Sequence, residues 1–162
     1  MKGKPIDILL VEDNEDHAEL TLRALKDNNL INDIHLVKDG QEALDFIYHR
    51  GKYEDTQKYP RPGLILLDIH LPKLNGFEVL ETLKKDPDVK SIPIIMLTTS
   101  SRDEEIAKSY AGGANSYVTK PVDFEEFVKK IKDLKLYWTI VNSLPKADCK
   151  VEGGRLLGTV KK

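Results

Sequence analysis

Short apolar runs alternate along the chain with segments whose apolar residues recur every three or four positions. Helical spacing is seen, for example, in Ala18, Leu22 and Leu25. Five apolar runs are typical of β-strands: residues 6–11, 33–37, 63–68, 92–98 and 116–119. The third and fourth runs are almost wholly apolar, so both faces of these strands should be covered. The pattern predicts a doubly wound α/β domain, in which a parallel sheet lies between two layers of helices.

Capping and turn residues agree with these boundaries. Asp39-Gly40 is expected to open the second helix, and the last helix is expected to begin at Asp123. Asn75-Gly76 alone would indicate a hairpin turn. The residues that follow it, GFEVLETLKK, have helical spacing instead, so a third helix is predicted there.

Two segments lack a regular period. Residues 49–62 are polar and rich in Tyr, Lys and Pro, which is typical of a long loop between the second helix and the third strand. Residues 145–162 contain Gly, Lys and scattered apolar residues. We therefore expect one domain over residues 1–144, and a loosely ordered or purification-related tail over residues 145–162.

Composition limits the classes of function. The chain has 162 residues and a formal net charge of −2, so one domain is expected and no broad charge attracts nucleic acid. Cys149 is the single cysteine, which excludes an internal disulfide and favours the reducing cytoplasm. No apolar stretch approaches the roughly 18 residues of a membrane span, and the N-terminus lacks an apolar signal core. We expect a cytoplasmic protein without a membrane or nucleic-acid partner.

Polar residues of distinct kinds follow four of the five predicted strands. Glu12 and Asp13 end the first strand, Asp68 the third, Thr98 the fourth and Lys120 the fifth. The carboxyl ends of parallel strands meet at one edge of a sheet, where ligands bind. Carboxylates that lie close together repel each other unless a cation is present, and a small set of oxygen ligands suits Mg²⁺. The four histidines lack the paired spacing of zinc ligands.

These residue types fit phosphoryl transfer to an aspartate. Asp68 would attack a phosphoryl group and become an acyl phosphate, while Mg²⁺ and Lys120 neutralise charge on the transferring oxygens. Thr98 would donate its hydroxyl to a phosphoryl oxygen. Each residue alone has an ordinary explanation, as a helix cap, a strand former or a solvated charge. Their coincidence at one sheet edge favours a phosphoacceptor site.

This ordered set resembles the receiver domain of two-component response regulators, over roughly residues 5–141. The residues that carry the resemblance are Glu12-Asp13, the run Asp68-Ile69-His70-Leu71-Pro72 with Gly76 after it, Thr98, and Tyr117-Val118-Thr119-Lys120-Pro121. The nearer resemblance is to stand-alone regulators paired with phytochrome-like and other sensor kinases. Its carriers are YHRGKYEDTQKYPRP, LILLDIHLPKLNGFEVL, IPIIMLTTSS and YWTIVNSLP.

The resemblance implies a flavodoxin-like fold with five helices and strand order 2-1-3-4-5. It implies that a sensor histidine kinase or a phosphotransfer protein phosphorylates Asp68. Mg²⁺ would be held by Asp13, Asp68 and the backbone carbonyl of His70, with Glu12 in the outer part. The protein would be a phosphoacceptor rather than an enzyme, and its only catalysis would be its own phosphotransfer and autodephosphorylation.

The family also implies a switch. Thr98 would move toward the phosphoryl group and Tyr117 would turn inward, which changes the surface of the fourth helix, fifth strand and fifth helix. A cis peptide after Lys120 would aim its side chain inward. Thr99 stands where the family often has a small residue. Because His70 and Ser100 occupy positions that tune dephosphorylation, the lifetime of the acyl phosphate is open.

The output surface has two explanations. Leu136 and Ile140 form a second apolar patch on the last helix, opposite the stripe that should face the sheet, with Tyr137 between the two faces. Either the tail covers this patch, or the protein forms a homodimer through the fourth strand, fifth strand and fifth helix region.

Two other functions remain as alternatives. An unphosphorylated adaptor is the alternative function. A small phosphatase with an aspartyl-phosphate intermediate is disfavoured, because that family needs a second Asp where His70 stands.

Overall fold

A computed structural model describes residues 6–27, 32–99, 103–133, 150–153 and 155–158. Five parallel strands form one sheet in the order β2-β1-β3-β4-β5. The strands are β1 (Ile8–Val11), β2 (Ile34–Val37), β3 (Leu64–Asp68), β4 (Ile94–Thr98) and β5 (Ser116–Thr119). The helices are α1 (Glu15–Lys26), α2 (Gly40–Ile47), α3 (Gly76–Lys85), α4 (Asp103–Ala111) and α5 (Phe124–Asp133). The predicted flavodoxin-like fold and its strand order are confirmed.

The sheet separates two apolar clusters. Leu9 and Val11 of β1 point to the face that α2 and α3 cover, whereas Ile8 and Leu10 point to the face that α1 and α5 cover. All four side chains are buried, because successive residues of a strand point to opposite faces and both faces are covered. This double coverage accounts for the unbroken apolar runs in the sequence.

Side-chain caps fix where the helices begin. Asn75 Oδ1 accepts a hydrogen bond from the Glu78 backbone N–H at 3.0 Å, and Glu78 Oε1 accepts one from the Asn75 N–H at 2.9 Å. This reciprocal capping box is the reason that Asn75-Gly76 opens a helix and not a hairpin. Asp39 caps α2 with its side chain, because Asp39 Oδ1 accepts a hydrogen bond from the Glu42 N–H at 2.7 Å.

The segment predicted to be a long loop is tied to α2. It includes one turn of 3₁₀ helix at Gly51–Tyr53. The Tyr53 ring is buried with its centroid 5.1 Å from that of Phe46 and 4.9 Å from that of Tyr59, and its hydroxyl donates to Glu42. Aromatic contacts of this kind add to the stabilisation from burial. The loop therefore contributes side chains to the core instead of only crossing the surface.

Near the C-terminus, β6 (Lys150–Gly153) and β7 (Arg155–Gly158) pair antiparallel with an irregular register. The predicted domain boundary at residue 144 stays a prediction. The second apolar patch that includes Leu136 and Ile140 lies outside the described residues. Within the described part of the chain, every helix is too short or too polar to cross a membrane.

Gly76 lies in close contact with the end of β3. Its N–H donates to the Ile69 carbonyl at 2.7 Å, and a Cβ at this position would lie 2.2 Å from the Asp68 carbonyl oxygen. Because both contacts are backbone, neither can rotate away. We expect Gly76→Ala to lower the free energy of unfolding by about 3 kcal/mol, measured by urea denaturation.

Gly51→Ala is the matched control. Gly51 has a φ of +58°, and a Cβ there would meet nothing within 4 Å. Only the left-handed backbone conformation should oppose this substitution, at about 1 kcal/mol. Equal losses in the two variants would contradict the steric explanation.

Candidate functional site

Three carboxylates meet at the carboxyl edge of the sheet. Glu12 and Asp13 follow β1, and Asp68 ends the neighbouring strand β3. One oxygen from each carboxylate lies within 4.8 Å of the others. Glu12 and Asp68 are buried, whereas Asp13 is exposed. The parallel pairing of β1 with β3 is what brings these residues together.

Lys120 lies among these acids with its side chain 6% exposed. Its Nζ lies 2.7 Å from Glu12 Oε1 and 3.3 Å from Asp68 Oδ2, and 3.0 Å from His17 Nδ1. An ammonium has three N–H donors, and this geometry offers three acceptors. The Lys120-Pro121 peptide is cis, and the Lys120 N–H donates to the Thr98 carbonyl at 2.7 Å.

Burial and, after it, the neighbouring Glu12 carboxylate together raise the pKa of Asp68 to about 6, although Lys120 opposes both effects. At pH 7 the site therefore holds an ionised carboxylate that is poorly solvated. A divalent cation would relieve this excess of negative charge. The donor set, which is carboxylate oxygen with one exposed member, fits a hard cation that keeps bound waters.

Thr98 ends β4 next to the acidic cluster, and its side chain is directed at α4. Its Oγ1 donates to Glu105 Oε1 at 3.3 Å. The other oxygen of the same carboxylate, Glu105 Oε2, lies 3.4 Å from His70 Nε2. The His70 side chain is exposed, and the residue follows β3. Glu105 thus contacts both Thr98, which ends β4, and His70, which follows β3.

Tyr117 lies apart from the acidic cluster, on β5 between α4 and α5. Its ring is 6.1 Å from the Tyr110 ring at an interplanar angle of 84°. Lys130 Nζ lies 4.3 Å from the centroid of the Tyr117 ring. These edge-to-face and cation–π contacts hold the ring in a half-buried position.

His17 and Glu105 lie at the site, although no sequence motif predicts a role for them. His17 lies in the first turn of α1, one turn after the acidic pair, so its nearness to the sheet edge could have been inferred from helix geometry. Glu105 offers no such signal. It follows Thr98 by seven residues across a connection whose path no local pattern predicts.

The raised pKa of Asp68 predicts a pH-dependent stability. The folded protein binds this proton more tightly than the unfolded chain, so metal-free stability should fall as pH rises from about 4 to about 6. Asp68→Asn removes the ionised form. We expect it to raise the free energy of unfolding at pH 7 by about 1–3 kcal/mol in a chelator, measured by urea denaturation.

This gain should vanish below pH 4, where wild-type Asp68 is itself protonated. Glu54→Gln removes an exposed carboxylate that is not a member of the acidic cluster and serves as the control. It should change stability by less than about 0.5 kcal/mol. A loss of stability in Asp68→Asn at pH 7 would show that ionised Asp68 stabilises the fold.

Known relatives share this architecture. The curated protein Response regulator Rcp1 from Synechocystis sp. is 37% identical over 140 residues, which cover 86% of this chain and 93% of that protein. The solved structure of the bacteriophytochrome response regulator AtBRR is 41% identical, with a TM-score of 0.78, and covers 87% of this chain and 100% of that one.

Two further solved structures report on ligand states of relatives. The Mn²⁺-bound form of Rcp1 has a TM-score of 0.67 and 37% identity, over 87% of this chain and 99% of that chain. The phosphorylated cyanobacterial phytochrome response regulator RcpA has a TM-score of 0.68 and 36% identity, over 83% of this chain and 94% of that chain. The family model for the response regulator receiver domain matches residues 8–132. The acidic edge, the strand order and these matches together show that the chain belongs to the receiver domain family of two-component response regulators.

Proposed function

We propose that this protein accepts a phosphoryl group on Asp68 from a sensor histidine kinase or a phosphotransfer protein. The observation that carries the proposal is the placement of the Asp68 carboxylate, which is 4% exposed and lies 3.3 Å from Lys120 beside two other carboxylates. A receiver domain is a signalling protein and not a conventional enzyme. Phytochrome-like kinases are candidate donors, since relatives of this chain are regulators of that kind.

In the proposed step, an Asp68 oxygen attacks the phosphorus of a phosphohistidine. A P–O bond forms as the P–N bond breaks, and the departing imidazole nitrogen keeps the electron pair. Lys120 transfers a hydrogen bond from Asp68 to a phosphoryl oxygen, and Thr98 donates its hydroxyl to another. Asp68 must be ionised to attack, so its pKa of about 6 allows reaction at neutral pH and opposes it in acid.

We propose Mg²⁺ as the cofactor. Asp13, Asp68 and the His70 backbone carbonyl would hold the ion, with Glu12 in the outer part of the site. Bound there, the ion would neutralise charge on the transferring oxygens. The clustering of three carboxylates supports this assignment, as does the Mn²⁺-bound structure of the relative Rcp1.

The phosphoryl donor needs a path to the site. A groove of about 150 Å³ lies beside Lys120, between α1 and the loop after β5. His17, Leu20 and Thr21 of α1 line one side of it. The exposed Leu20 gives the groove an apolar rim against which a helix of the donor could pack.

For output, we propose a surface that changes on phosphorylation and includes Tyr110, Tyr117 and Lys130. Inward rotation of Tyr117 would break its contacts with Tyr110 and Lys130, and would leave the exposed Tyr110 ring without its neighbour. The homodimer through β4, β5 and α5 stays a prediction, and so does the cytoplasmic location. The assembled site does not favour the unphosphorylated adaptor.

Incubation with acetyl phosphate and Mg²⁺ tests the phosphoacceptor directly. We expect the intact mass to increase by one phosphoryl group. The increase should be lost in Asp68→Asn and in chelator, because the first removes the nucleophile and the second removes the ion that neutralises charge on the transferring oxygens.

Glu54→Gln should be modified like the wild type. A modification that persists in Asp68→Asn would place the phosphoryl group on another residue. Failure of the folded wild-type protein to react with either acetyl phosphate or a phosphorylated kinase would support the adaptor instead.

A further inference from the structure

We propose that Glu105 is a positioning residue that holds Thr98 in the unphosphorylated state, and that it competes with the phosphoryl group for the Thr98 hydroxyl. The inference rests on the proposed phosphorylation of Asp68. Glu105 belongs to α4, and no motif in the sequence marks it as a site residue. Its effect would be to oppose phosphorylation until the group on Asp68 draws Thr98 away.

The Thr98 hydroxyl can donate only one hydrogen bond. A threonine hydroxyl has one proton, and both an ionised carboxylate and a phosphoryl oxygen are acceptors only. Thr98 Oγ1 donates that proton to Glu105 Oε1 at 3.3 Å. The same proton is needed for the bond from Thr98 to a phosphoryl oxygen. The two bonds therefore exclude each other, and any free energy in the first opposes the second.

Burial strengthens the hydrogen bond from Thr98 to Glu105. Thr98 is 1% exposed, and the Glu105 side chain is only 12% exposed. Water competes poorly for polar groups at this depth, so a hydrogen bond to a charged group is worth more than it would be on the surface. A wholly exposed glutamate would release Thr98 at little cost.

The contact between His70 and Glu105 lowers the cost of releasing the Thr98 hydroxyl from Glu105. Glu105 Oε2 lies 3.4 Å from His70 Nε2, so the carboxylate keeps a partner after Thr98 leaves. A carboxylate left unpaired at this depth would be strongly disfavoured. The contact also joins α4 to the loop after β3. Loss of the Thr98 bond would thus loosen the contact of α4 with the end of β4, beside the proposed output surface.

The test measures binding of beryllofluoride, a mimic of the phosphoryl group, in the presence of Mg²⁺. We expect Glu105→Ala to bind it about 3- to 10-fold more tightly than the wild type, since one competing hydrogen bond is removed. Glu81→Ala is the charge-matched control, because it removes an exposed carboxylate that pairs with Lys85 on α3. Its affinity should be unchanged.

A double-mutant cycle separates competition for the hydroxyl from a general charge effect. In a Thr98→Val background, where the hydroxyl is absent, Glu105→Ala should change the affinity less than about 2-fold. The proposal is wrong if Glu105→Ala raises the beryllofluoride affinity as much in the Thr98→Val background as it does when Thr98 is intact. It is also wrong if Glu105→Ala alone binds beryllofluoride no more tightly than the wild type. Should Glu105→Ala fail to fold, the isosteric Glu105→Gln is measured, and a gain of about 2-fold or more is expected.

Beryllofluoride binding by the wild type separates the proposed role of Glu105 from the proposed phosphorylation of Asp68. Wild-type protein that takes up beryllofluoride only with Mg²⁺ and an intact Asp68 has a working phosphoacceptor site, whatever Glu105 does. Wild-type protein that takes up none would contradict the proposed function itself. Unchanged affinity in Glu105→Ala would contradict only the role of Glu105.

Discussion

A buried ammonium among carboxylates is the interaction on which the site depends. Lys120 lies 2.7 Å from Glu12 and 3.3 Å from Asp68, and all three side chains are withdrawn from water. Removing Lys120 would leave two buried carboxylates whose charge neither solvent nor protein compensates. The three residues follow or end β1, β3 and β5, so only a parallel sheet with these strand ends at one edge satisfies the charges. Fold and site therefore constrain each other.

The sequence was informative wherever a local rule determines structure. Unbroken apolar runs identified strands covered on both faces, and helical spacing after Asn75 outweighed the hairpin signal of Asn75-Gly76. The common direction of the strands then placed Glu12, Asp68 and Lys120 at one edge without any knowledge of contacts. Such inferences succeed because periodicity and strand direction are properties of short segments.

Other features depend on tertiary packing, which no short segment encodes. The Thr98 hydroxyl donates to Glu105, seven residues away in α4, and no local pattern indicates that the two side chains meet. His17 is a similar case, since a histidine on a first helical turn gives no sign that it will accept a bond from Lys120. The polarity of residues 49–62 correctly indicated a connection, but it concealed the burial of Tyr53.

The anchoring of that connection also changes how its exposed charges behave. Lys52 and Lys58 lie next to Tyr53 and Tyr59, and their ammonium groups lie over the neighbouring rings at 5.3 Å. Trypsin must bind the backbone around a lysine in extended form, so cleavage here requires Tyr53 to leave its aromatic cluster first. The rate of digestion after these lysines would therefore report the local opening of the connection, although the lysines themselves face the solvent.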